Sequence, residues 1–283
     1  MLSGSVANNL GDRMTTGHFL RATAIALPLM LASMAQADDH SAAPTEGQSP
    51  INIDEKAACG ATLSPIALKY RRVSTVTVSN IETDGERAVK VNFTNPEGAG
   101  SLMLDGKEYK LKQFHLHTPS EHQIRGKAAP VEIHFVHEAA DKTLAVVGQM
   151  AELDSKMRAG LRYGNGPLRT ILQNLPADGK TSPEVTLLFS RNRGSDLFEV
   201  KDPRSFRYMG SLTTPPYSGG VHWIVLEEPV KLNAAQVAAI QGLFPAGKGN
   251  SRELQSLGDR KVQTDSVWRA GAACPAESMA PPS

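Results

Sequence analysis

Short runs in which apolar and polar residues alternate recur along most of the chain. They cover Thr75–Ser79, Ala88–Phe93, Tyr109–Leu116, Val131–His137, Leu144–Met150, Val185–Phe189 and Val221–Leu226. A period of two predicts half-buried β-strands. Turn dipeptides such as Asp84-Gly85, Asn95-Pro96 and Asp105-Gly106 bound these runs. Two segments carry helical spacing instead. Leu168–Leu175 follows Pro167, which suits a first helical turn, and Ala234–Leu243 follows Asn233, a good N-cap. No internal repeat, low-complexity block or linker interrupts the pattern. The expected fold is mainly β, of mixed α+β type. It is one domain on a large, twisted, mostly antiparallel central sheet with a few short surface helices.

The first 37 residues read differently. Ala22–Ala37 is uncharged, follows Arg13, His18 and Arg21, and ends in the small-x-small triplet Ala35-Gln36-Ala37. Such a stretch predicts a secretory signal over residues 1–37, with Met14 as an alternative true start and a buried core helix as the plainer alternative. The run falls short of the roughly 20 residues that span a bilayer, so no transmembrane segment is expected after cleavage. The remaining domain is 38–283, periplasmic or secreted.

Composition narrows the function. The 283 residues hold 30 Lys+Arg and 29 Asp+Glu, a formal net charge of +1. A nucleic-acid binder would show a basic excess, so that class is set aside. Two cysteines build neither a disulfide-stapled mini-fold nor a four-cysteine zinc module. In an oxidising compartment Cys59 and Cys274 are the candidates for a single disulfide.

Histidines supply the candidate chemistry. His115 and His117 sit two apart in a strand pattern, so they share a face with Gln113. Glu132-Ile133-His134 repeats the design on a second run. Paired strands would gather three imidazoles, and three neutral histidines leave the fourth position of a tetrahedral zinc open. Gln113 and Glu132 are placed to hold the far ring nitrogens. Spacing alone leaves ordinary hydrogen-bonded or surface histidines as an equal reading, and imidazole suits several divalent metals besides zinc.

Longer motifs carry a resemblance. The chain contains Gln48-Ser49-Pro50-Ile51-Asn52-Ile53, then Gln113 through His122, then Glu132 through His137. Tyr208 through Pro216, Val221-His222-Trp223, and Asn250, Arg252, Gln255, Leu257 and Arg260 follow. In these blocks it resembles an α-class carbonic anhydrase of the bacterial, exported kind, over nearly the whole chain after residue 47. The resemblance implies Zn2+ on His115, His117 and His134. It implies reversible hydration of carbon dioxide to bicarbonate and a proton by zinc-hydroxide attack. Thr213 and Glu121 would orient that attack, with Thr213 donating to Glu121, since an ionised carboxylate only accepts. Val136, Val146, Leu212, Val221 and Trp223 match the family's apolar wall for carbon dioxide, Thr214 faces the departing anion, and His122 matches a structural histidine.

The chain departs from the family in four places, one being the lead-in Asp38–Gly47, which holds no Trp or Tyr where relatives carry an aromatic-rich segment before Gln48-Ser49-Pro50. The proton-shuttle histidine is absent; Arg87 takes its place counting back from Val91-Asn92-Phe93, and Glu86 counting forward from Gly85. Neither side chain titrates near neutrality unperturbed, and a shuttle needs a pKa near the working pH. The usual cysteine positions are empty, one of them holding Tyr217, so a Cys59–Cys274 bridge would be a replacement. Ala129 stands where the family has an aromatic residue. Three functions are then in contention: a zinc lyase, a silent relative serving as a binding module, and an esterase side activity. Silent relatives typically lose a zinc histidine, and this chain keeps all three. No G-x-S-x-G supports a dedicated esterase. The sequence leaves the oligomeric state open, with a dimer among the options.

Overall fold

The computed structural model describes residues 47–54, 58–83, 86–189, 204–244 and 248–265. The predicted signal at 1–37 and Cys274 lie outside these residues. In chain order the strands are β1 (Asn52–Ile53), β2 (Cys59–Gly60), β3 (Ala67–Tyr70), β4 (Val73–Thr83), β5 (Glu86–Phe93), β6 (Gly100–Leu104), β7 (Lys107–His117) and β8 (Gln123–Ile124). They continue with β9 (Lys127–Ala128), β10 (Val131–Ala139), β11 (Leu144–Leu153), β12 (Lys180–Thr181), β13 (Val185–Leu188), β14 (Ser205–Ser211), β15 (Gly219–Leu232) and β16 (Gln263–Thr264). Helices are α1 (Pro96–Ala99), α2 (Gly166–Gln173) and α3 (Ala234–Gln241).

Among the described residues one large sheet runs in the order β12-β4-β5-β7-β10-β11-β15-β14-β16-β2. Most neighbours are antiparallel, as predicted; β11 with β15 and β16 with β2 are parallel. The alternation sorts the two faces. Phe114, Leu116, Ile133, Phe135, Ala145, Val147, Ile224 and Leu226 point to one side and form the main core. Leu168 and Ile171 of α2 and Val237 and Ile240 of α3 cover that core. The opposite side carries a second apolar cluster with Val146, Val221, Trp223, Tyr208 and Ile51. Each fully buried large apolar side chain stabilises the fold by roughly 1.5–3 kcal/mol.

A β-bulge where β7 meets β10 resets the alternation. Val136 pairs with Gln113, but His137 pairs with Leu111, so Lys112 is the extra residue. Tyr109 and Leu111 before the bulge and Phe114 and Leu116 after it therefore all reach the same core. The longer helices α2 and α3 start on asparagine caps. Asn233 accepts from the Gln236 amide at 3.0 Å, and Asn165 accepts from the Leu168 amide at 3.1 Å, which starts α2 two residues before the predicted Leu168.

His137 is a buried part of the core face. Its Nδ1 lies 3.3 Å from the Ala145 carbonyl, which can only accept, so Nδ1 carries the hydrogen. Its Nε2 then accepts from the Tyr70 hydroxyl at 2.8 Å. Burial pushes the His137 pKa down to about 4, against partial support from the backbone carbonyls. An unfolded imidazole takes up its proton near pH 6.5, so the unfolded state binds more protons between pH 6.5 and 4. The contribution is intact above pH 6.5 and is lost as pH falls to 4, by about 3 kcal/mol. Replacing His137→Phe is expected to flatten the acid limb of stability by that order, as read by urea denaturation at pH 4, 5 and 7.

Candidate metal centre

The register sets the site. On the face away from the main core, His134 of β10 pairs with His115 of β7, and Glu132 pairs with His117. Three imidazoles thus meet, with ring centroids 4.9 Å apart for His115 and His117, 5.3 Å for His115 and His134, and 4.6 Å for His117 and His134. One ring nitrogen from each lies within 4.8 Å of the others.

The other nitrogen of each ring is held by the protein. His115 Nδ1 donates to Gln113 Oε1 at 2.9 Å. His117 Nδ1 donates to the Asn250 carbonyl at 3.0 Å. His134 Nε2 lies 2.9 Å from Glu132 Oε1. These partners are acceptors, so they fix the tautomers and turn Nε2 of His115, Nε2 of His117 and Nδ1 of His134 to the common point. Buried His117 Nε2 has no hydrogen-bond partner among the described residues. A buried polar atom left alone is costly, and a metal ion supplies what this one lacks. Three neutral imidazoles with an exit toward a cavity suit an open zinc site.

Electrostatics agree with ligand duty at two of the three rings. Burial and the two neighbouring imidazoles hold the His115 pKa well below its ordinary value, and burial lowers that of His117. Neutral imidazole is the form that binds metal. Burial also disfavours charge on His134, but the nearby Glu132 outweighs it and raises that pKa. Glu132 is fixed in turn. Its Oε1 lies 2.8 Å from His122 Nδ1, and its Oε2 accepts from the His122 amide at 2.8 Å. His122 Nε2 lies 2.6 Å from the Tyr208 hydroxyl, which meets Ser49 Oγ at 2.8 Å. Close approach is built in: a Cβ on Gly148 would come within 2.9 Å of Glu132 Oε1.

Glu121 is buried beside the histidines. Its Oε1 accepts from the Arg252 amide at 3.0 Å, and its Oε2 lies 3.6 Å from His134 Nδ1. The expected donation from Thr213 is not formed. Oε2 has no hydrogen-bond partner among the described residues; the backbone amide of Arg252 serves the other oxygen. Thr213 itself is buried in the turn after β14.

A cavity of about 180 Å³ opens from the site, lined among others by Arg87, Lys90, Gln113, His115, His117, Thr214 and Asn250. That is below the range of drug-sized ligand pockets and suits a small molecule. Of the two residues expected at the shuttle place, Arg87 lines the cavity, and its guanidinium pairs with Asp178 at 2.7 Å. Glu86 opens β5, and its side chain lies outside the description. Val136, Val146, Leu212, Val221 and Trp223 gather in the second apolar cluster. Val136 pairs with Val146 and Val146 with Trp223, so they continue the His134 face across three strands. The Trp223 ring lies 4.8 Å from that of His134. Cys59 lies in β2, paired with β16, and Cys274 lies outside the described residues.

The chain from residue 35 to 266 matches the family model of the eukaryotic-type carbonic anhydrases. The chain belongs to the α-carbonic anhydrase family. Membership implies a zinc-dependent lyase that hydrates carbon dioxide. Among its relatives, a carbonic anhydrase of Neisseria gonorrhoeae is 34% identical over 219 residues, covering 77% of each chain. One of Pectobacterium atrosepticum is 32% identical over 220 residues, covering 77% of this chain and 79% of that protein. Of solved structures, the α-carbonic anhydrase of Thermovibrio ammonificans in complex with sulfanilamide is 33% identical, with a TM-score of 0.62, over 77% of this chain and 86% of that one.

Asn250 is the site residue that spacing arguments missed; only the family motif pointed to it. Besides its carbonyl on His117, its side chain accepts from the Thr118 amide at 3.0 Å and donates to the Leu116 carbonyl at 2.9 Å. Replacing Asn250→Ala leaves those two buried backbone groups unpaired. The unfolding free energy is expected to fall by about 1–3 kcal/mol and zinc affinity by about tenfold. Chemical denaturation and competition against a zinc chelator check the two effects.

Proposed function

We propose that this carbonic anhydrase hydrates carbon dioxide reversibly with one Zn2+ held by His115, His117 and His134. One observation carries the reading. Three imidazoles, those of His117 and His134 buried and that of His115 partly so, present one nitrogen each to a common point, while His115 and His117 hydrogen-bond outward through their second nitrogens and His134 Nε2 faces Glu132 Oε1 at 2.9 Å. Zinc in such a site supplies Lewis acidity that brings the pKa of a water to near 7.

The chain's own residues do the rest. Gln113, Glu132 and Asn250 hold the rings in place. Glu121 Oε2 is open to a donor, and the family resemblance gives that place to the Thr213 hydroxyl, a bond not formed in this structure. A threonine hydroxyl committed this way can only accept from the attacking water, which aims the water's lone pair at carbon. Carbon dioxide is apolar, so the Val136, Val146, Leu212, Val221 and Trp223 surface receives it without hydrogen bonds. Thr214 faces the anion formed. Arg87 at the shuttle place stays charged at any working pH and relays no proton. Proton export then falls to buffer. The pattern of residues 1–37 supports export, and an oxidising compartment would let Cys59 pair with Cys274; a denatured, unreduced sample showing two titratable thiols would refute that bridge.

Stopped-flow hydration on protein carrying about one zinc per chain tests the reading. Turnover is expected to rise with added imidazole-type buffer and to vanish with zinc in His117→Ala. Zinc bound without hydration would overturn the enzyme reading. Fast turnover indifferent to buffer would overturn the account of Arg87.

A further inference from the structure

The cavity wall carries two cations and no carboxylate. Arg87 and Lys90 line it with His115, His117 and Thr214. Lys90 stands directly opposite His115 in the β5–β7 pairing and is half-buried. The two cations are not equivalent. The Arg87 charge is met by Asp178, whose other polar contact is the Asn80 amide at 2.9 Å. Among the described residues no carboxylate lies within ion-pair distance of Lys90, although the sheet around it is rich in charge. The nearest acids behind the imidazoles are engaged elsewhere: Glu121 by the Arg252 amide and Glu132 by His122 and His134. A partly enclosed site strengthens a charge relative to open water. An unmatched ammonium over a small polar cavity is a place for a small anion.

We propose that Lys90 makes the cavity mouth an anion-holding site, which bicarbonate occupies as it leaves the histidine centre and as it enters for the reverse reaction. The inference rests on the carbonic anhydrase reading of this same cavity. Lys90 is a positioning residue for the anion; Gln113, Thr214 and Asn250 supply polar neighbours. The residues proposed to receive carbon dioxide, Val146 and Trp223 among them, belong to the second apolar cluster and not to this cavity wall. The apolar substrate gains nothing from the ammonium. Lys90 therefore discriminates between the two species of one reaction.

The test compares zinc-loaded wild type with Lys90→Met, Lys90→Arg and the exposed control Lys127→Met. Bicarbonate affinity is read by titration with carbon-13 bicarbonate and line broadening, with zinc content confirmed on each sample. Lys90→Met is expected to weaken bicarbonate about three- to tenfold, as for one partly screened charge. Lys90→Arg should keep the affinity within about twofold, and Lys127→Met should match wild type. In kinetics, KM and kcat for dehydration should rise together while kcat/KM holds in both directions, because a contact made only with the bound anion cancels from kcat/KM. Unchanged affinity in Lys90→Met, or a loss no larger than in Lys127→Met, overturns the proposal. A wild type that binds zinc and hydrates nothing overturns the function reading instead, and the bicarbonate titration still decides on Lys90.

Discussion

The antiparallel pairing of β7 with β10 is the constraint on which the site depends. It sets His134 against His115 and Glu132 against His117 on one face, and Phe114, Leu116, Ile133 and Phe135 on the other. A slip of β10 by one residue would bury His134 among aliphatics and turn Ile133 and Phe135 toward the cavity, parting His134 from His115 and His117. The main core thus enforces the geometry of the metal centre from behind. Catalytic spacing here is a by-product of core packing, which is stiffer than any loop.

A second layer turns nearness into chemistry. Three neutral imidazoles side by side can adopt several tautomers, and only one combination offers three lone pairs to one point. Three acceptors of different kinds select it: an amide oxygen from Gln113, a backbone carbonyl from Asn250 and a carboxylate from Glu132. The carboxylate alone continues inward, through His122 and Tyr208 to Ser49. The orientation of His134 is therefore tied to a segment 85 residues upstream, near the start of the described chain. The Trp223 ring closes this arrangement, with centroids 4.6 Å from His122 and 4.8 Å from His134.

Much of this was legible in the residues, and the reasons differ by element. Strands with strict alternation showed themselves, as did α2 and α3; the short α1, capped by Asn95, read as an Asn95-Pro96 turn. Even the β7 bulge left a trace, since the apolar positions shift from odd numbers at Tyr109 and Leu111 to even ones at Phe114 and Leu116. β14 reads Ser-Phe-Arg-Tyr-Met-Gly-Ser and is buried along nearly its whole length, so no period of two marks it. The parallel pairing of β11 with β15 joins runs separated by more than sixty residues, and no local pattern encodes it. Gln113 and Glu132 were visible because their side chains act. The hold on His117 was not, because it is a carbonyl that any residue at 250 would carry. The Thr213 to Glu121 bond came from family likeness alone, and the structure gives Glu121 an amide partner instead.

That carbonyl sits in a segment fitted to one spot. A Cβ on Gly249 would fall 1.6 Å from the Thr118 carbonyl oxygen, so glycine alone lets the strand end and the late segment lie together. All three histidines are present by residue 134, yet the clamp on His117 arrives 133 positions after it in the chain. During synthesis the centre is thus complete in composition long before it is complete in structure. Contacts of such long range form late in folding. The three-histidine cluster is thus held in its final geometry only in the finished chain.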